Sequence, residues 1–121
     1  MQKILLVDDE ANIRDLNAMY LEKEGFTVEH AVNGTDAIAR FEQSQPQLVV
    51  LDVMMPGMDG FEAMREIRQI AKFRSVPIIA VTAKAMKGDR QKCLEAGASD
   101  YINKPVDTEQ LLSLLRIWLD R

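Results

Sequence analysis

Short apolar runs alternate with helical patterns along this chain, and that alternation admits very few folds. Ile4-Leu5-Leu6-Val7, Leu48-Val49-Val50-Leu51 and Ile78-Ile79-Ala80-Val81 are too short for helices and carry no polar residue at either parity. Strands buried on both faces read this way. A weaker strand near Phe26 to His30 and a short one at Tyr101-Ile102 bring the set to five. A first helix is expected from about residue 10 to 24, with Ile13, Leu16 and Tyr20 at helical spacing and Gly25 as its stop. Asn33-Gly34 marks a turn, after which Ala37, Ile38 and Phe41 share a helical face. Phe61, Met64 and Ile67 mark a third helix, and Gly88 to Ala96 a fourth with Gly97 as its stop. Asp107 and Gln110 form a capping box before a last helix that buries Leu111, Leu115, Trp118 and Leu119.

Buried strands separated by helices require a parallel sheet covered on both sides. Right-handed crossovers prune the topologies further. The expected fold is α/β: a five-stranded parallel sheet, doubly wound and flavodoxin-like, as one domain over residues 1–121, with the strand order 2-1-3-4-5 assumed. At 121 residues and 47% hydrophobic content the chain can fill such a core without staples.

Polar residues then fall at telling places. Asp8 and Asp9 follow the first strand, Asp52 closes the third, Thr82 closes the fourth and Lys104 follows the fifth. In a parallel sheet every strand C-terminus lies on one edge, where ligands bind at the topological switch point. Taken singly, an Asp after a strand is usually a turn former or cap, and a lone Lys a solvated charge. Their joint placement is what points to a site.

Carboxylates crowded together repel and call for a cation or for raised pKa values. Oxygen ligands without His or Cys favour Mg²⁺, with Mn²⁺ able to substitute. A carboxylate is also a nucleophile toward phosphorus, giving an aspartyl phosphate. Asp52 is the best candidate because it sits centrally. The cation, Lys104 and the Thr82 hydroxyl would each take one phosphoryl oxygen.

The segments ILLVDDE at 4–10, LVVLDVMMPGMDGFE at 48–62, PIIAVTA at 77–83 and GASDYINKP at 97–105 resemble the response-regulator receiver family across essentially the whole chain. The resemblance implies Asp52 as phosphoacceptor, Asp9 as a direct metal ligand and Asp8 as a ligand through water. It adds the backbone carbonyl of Met54 to the metal shell. It implies Thr82 as the switch hydroxyl, Tyr101 as the switch aromatic, Lys104 as the ion-pairing lysine, and a cis peptide at Lys104-Pro105. Met54 and Lys84 stand at positions that tune phosphoryl lifetime, and Ala83 is small beside the site. The implied partners are a histidine kinase or histidine phosphotransfer protein and a downstream protein that reads helix four, strand five and helix five. A monomer is expected, with dimerisation on phosphorylation left open.

Other residues carry less. The net charge of −4 disfavours direct nucleic-acid binding. No apolar run reaches membrane-span length and no signal peptide is visible, so no membrane partner and a cytoplasmic location are expected. Cys93, the single cysteine, reads as an apolar filler. His30 reads as structural, Met54, Met55 and Met58 as loop packing, and Lys84, Lys87 and Arg90 as a solvated or docking face. A phosphatase of the haloacid-dehalogenase type is disfavoured because no D-x-D follows the first strand and these 121 residues leave little room for a substrate cap. An FMN binder is disfavoured because three acids would repel the flavin phosphate. Two settings stay open. The run 81–107 and the terminal LLSLLRIWL resemble hybrid-kinase receivers, whereas Met1 beside the first strand suits a free-standing regulator.

Overall fold

A computed structural model describes residues 2–53, 60–70, 75–82 and 89–119. Met54, Met55, Met58, Ala83, Lys84, Lys87 and Gly88 lie outside the described residues, as does the side chain of Arg90. The elements run β1 (Lys3–Val7), α1 (Ala11–Lys23), β2 (Thr27–Ala31), α2 (Gly34–Ser44), β3 (Leu48–Asp52), α3 (Gly60–Gln69), β4 (Ile78–Thr82), α4 (Asp89–Ala96), β5 (Asp100–Asn103) and α5 (Thr108–Leu119). The strands form one parallel sheet in the order β2-β1-β3-β4-β5, as expected.

The absence of polar residues in the central strands has a direct cause. Successive side chains point to opposite faces, and each face has its own core. Leu5, Val7, Val49, Leu51, Ile78 and Ala80 pack against α2, α3 and α4, where Phe41, Met64 and Ile67 are fully buried. Ile4, Leu6, Val50, Ile79, Val81 and Ile102 pack against α1 and α5 through Leu21, Leu111 and Leu115. Cys93 is buried in the first of these cores.

Local signals set the boundaries. Gly25 (φ +98°) and Gly97 (φ +118°) take left-handed conformations just past α1 and α4. At each, the glycine N–H and the next N–H donate back into the last turn: Gly25 to Glu22 and Phe26 to Leu21, Gly97 to Leu94 and Ala98 to Cys93. Asn33 turns the chain as anticipated and is also the N-cap of α2, its Oδ1 accepting from the Asp36 N–H at 2.8 Å, so Gly34 is already helical. Asp107 Oδ1 accepts from the N–H groups of Glu109 (2.9 Å) and Gln110 (3.4 Å), opening α5.

The helical spacing of Ile13, Leu16 and Tyr20 does not mark the buried face of α1. Ile13 and Leu16 are 37% and 64% exposed, and the buried residues of α1 are Ala18 and Leu21. Apolar residues occur on two sides of this helix, so spacing alone could not choose between them. The sheet side is set by Leu21, with Arg14 on β2 and Tyr20 only partly buried. No helix among the described residues is long and apolar enough to cross a membrane.

Candidate functional site

Asp8, Asp52 and Thr82 are the buried polar side chains among the described residues, at 6%, 1% and 1% exposure. All three stand at the C-terminal edge of the sheet. Val7 pairs in register with Leu51, Asp52 with Val81, and Thr82 with Asn103, so consecutive central strands end at nearly the same level. The register of the parallel sheet therefore brings together residues that are far apart in sequence.

Carboxylate oxygens of Asp8, Asp9 and Asp52 all lie within 4.8 Å of one another, Asp9 being the exposed member. Lys104 enters from the end of β5, immediately before a cis Lys104-Pro105 bond, and its Nζ donates to Asp52 Oδ2 at 2.6 Å. The structure thus unites the acids and the ammonium that the strand ends suggested. Thr82 lies one strand away, its Oγ1 donating to Asn103 Oδ1 at 2.9 Å. Tyr101 is partly buried on the α4 side of the sheet, opposite Ala80 in register.

The charges act on one another. Burial pushes the pKa of Asp8 above the usual carboxylate value. The charges of Asp52 and Asp9 push the same way, while the Glu10 N–H and Lys104 oppose. For Lys104 burial favours loss of the proton, but the hydrogen bond and charge of Asp52, aided by Asp8 and Glu10, outweigh it, so its pKa is raised. Three carboxylates faced by this ammonium make a pocket suited to a cation. The donors are all oxygen, which fits a hard divalent ion. The carbonyl of Met54, expected to join them, lies outside the described residues.

Two supporting residues were not anticipated. Arg14, one turn into α1, donates through a terminal guanidinium nitrogen to the Asp8 carbonyl (2.7 Å) and through Nε to His30 Nδ1 (3.2 Å). It braces the loop that carries the acids, and it gives His30 the structural role expected of it. A basic residue one turn beyond the acidic pair was the available signal. Asn103 is the second, and only its register opposite Thr82 reveals it. The exposed Ile13 and Leu16 also find a place here. With Lys104, Pro105 and Val106 they line a mostly apolar groove of about 590 Å³ that begins at Asp8.

The family model described as Response regulator receiver domain matches residues 4–116. The transcriptional regulatory protein ResD of Bacillus subtilis (strain 168) is 44% identical over 119 residues, covering 98% of this chain and 48% of that protein. This chain therefore spans about half the length of that relative. Chemotaxis protein CheY4 of Vibrio cholerae superposes with a TM-score of 0.93 at 32% identity, covering 98% of this chain and 99% of that one. The receiver domain of sensor histidine kinase PA1611 from Pseudomonas aeruginosa PAO1 has a magnesium ion coordinated in its active-site cleft. It superposes with a TM-score of 0.91 at 37% identity, covering 99% of this chain and 98% of that one.

Proposed function

The chain belongs to the response regulator receiver domain family, and from that premise we propose that it is a phosphoacceptor switch of a two-component system or phosphorelay. The observation that carries this reading is Asp52. Its carboxylate is 1% exposed at the central strand end, with Asp8 and Asp9 on one side and the Lys104 ammonium at 2.6 Å. Asp8, Asp9 and Asp52, with the Met54 carbonyl, would hold Mg²⁺ or Mn²⁺. That ion, when bound, neutralises the carboxylates and the charge on the transferring group.

The reaction is a group transfer. An Asp52 carboxylate oxygen attacks the phosphorus of a phosphohistidine on a kinase or phosphotransfer protein. A P–O bond forms as the P–N bond breaks, and the imidazole nitrogen leaves with the electron pair and takes up a proton. Lys104, already paired to Asp52, is within reach of one phosphoryl oxygen. The Thr82 hydroxyl moves to a second. Tyr101, partly buried beside α4, turns into the space Thr82 vacates. Contacts made only with the phosphorylated form shift the population toward a different surface at α4, β5 and α5, which a downstream protein reads. The protein acts as a signalling switch rather than a turnover catalyst. The apolar groove at Ile13 and Leu16 runs into the acidic pocket, and a donor presenting its imidazole there covers it.

Asp52→Asn tests the assignment. Incubated with acetyl phosphate and Mg²⁺, the wild-type protein gains one phosphoryl mass and the variant gains none. Undiminished incorporation by the variant overturns the assignment.

A further inference from the structure

We propose that Asn103 is a latch on Thr82, holding its hydroxyl away from the phosphoryl position and so setting how readily the switch closes. The inference rests on the phosphoacceptor reading of Asp52 and adds to it a positioning residue that acts through Thr82.

A threonine hydroxyl has one proton to donate. Here it goes to Asn103 Oδ1 at 2.9 Å. Donation to a phosphoryl oxygen on Asp52 requires that bond to break. The geometry favours a weak, reversible hold. Thr82 and Asn103 are register partners on adjacent parallel strands, and the Lys104 N–H donates to the Thr82 carbonyl at 2.8 Å, so the backbones are held while the side chains stay free to part. Thr82 is 1% exposed, so its hydroxyl depends on a protein acceptor, whereas Asn103 is exposed and its amide finds water once released. Asn103 also shares a sheet face with Tyr101, two residues before it on β5, which places the latch beside the residue that moves when Thr82 does.

A double-mutant cycle read by binding of beryllofluoride, a phosphoryl mimic, in the presence of Mg²⁺ tests the latch. The proteins are wild type, Asn103→Leu, Thr82→Ala and the double variant. Leucine has similar bulk and no acceptor, and Asn103→Ala repeats the measurement without bulk. Loss of the bond from the unliganded state should tighten binding about three- to tenfold. The gain should vanish in the Thr82→Ala background, which a general structural effect of position 103 would not do. Unchanged or weaker binding by both Asn103 variants overturns the latch, as does equal tightening with and without Thr82. Failure of the folded wild-type protein to bind at all overturns the phosphoacceptor reading and the latch with it.

Discussion

Replacing Asp8 by asparagine removes a negative charge from the rim pocket while keeping its shape, and it should stabilise the cation-free protein. The Asp8 Oδ1 accepts from the Glu10 N–H at 2.9 Å, a bond an asparagine oxygen can keep. What is lost is the cost of burying a charge, and its repulsion by Asp52 and Asp9. Unit charges no more than 4.8 Å apart, as for Asp8 and Asp52, repel by about 3–4 kcal/mol at an effective dielectric near 20. The attraction of Asp8 to Lys104 is lost too, which leaves a net gain of about 1–2 kcal/mol. In a domain of this size that raises Tm by roughly 3–10 °C. The pKa of Asp8 is raised in the folded state, so its protonated form is the one folding favours. That contribution is complete below the ordinary carboxylate value and is lost as pH rises through the raised one. The variant's advantage therefore grows as pH rises through the raised value and disappears on acidification. Mg²⁺ should narrow or close this gap. At about a hundred times its Kd a bound cation adds roughly 2.7 kcal/mol to the wild-type protein, and a variant binding tenfold more weakly gains about 1.4 kcal/mol less. Thermal denaturation followed by the fluorescence of Trp118, the single tryptophan, measures all of this with and without MgCl₂ at two pH values. An Asp8→Asn protein that is no more stable than wild type without cation at neutral pH, or that gains as much from Mg²⁺, would refute the electrostatic account.

Leu21→Ala should cost about 2–5 kcal/mol in urea denaturation, and Leu16→Ser less than about 0.5 kcal/mol. The opposite order would contradict the orientation of α1. Gly97→Ala should cost about 1–3 kcal/mol, because φ is +118° and the new Cβ would lie 2.7 Å from Arg68 Cγ. Wild-type stability in that variant would contradict both the backbone strain and the hold on Arg68 by its bonds to the carbonyls of Gly97 and Val76. Arg14→Gln removes the charged brace from the Asp8 carbonyl and should weaken Mg²⁺ binding about tenfold by calorimetry. Unchanged affinity would show that the acidic loop holds its own geometry.

Much of this protein was legible without coordinates because its information is local and periodic. Four-residue runs such as Ile4 to Val7 and Leu48 to Leu51 can be strands only if covered on both faces, and that condition specifies a parallel sheet with helices on either side. Once strands are parallel, a residue at a strand's end is at the binding edge, so Asp8, Asp9, Asp52, Thr82 and Lys104 could be gathered from spacing together with an assumed strand order. Gly25, Gly97 and Asp107 announced their helix ends because capping is a matter of a few adjacent residues, whereas Asn33 read only as a turn.

What only the tertiary structure decided depends on neighbours distant in the chain. Ile13 and Leu16 have the spacing of a buried face, yet the sheet took Ala18 and Leu21, since which side of a two-sided helix is covered depends on how it lies across the strands. Arg14 meets His30 across 16 residues and Thr82 meets Asn103 across 21, and no period in the sequence marks either pair. Periodicity governs which elements form and which way their ends face. Side chains that meet across the sheet are chosen by packing and register, and those exist only once the chain has closed on itself.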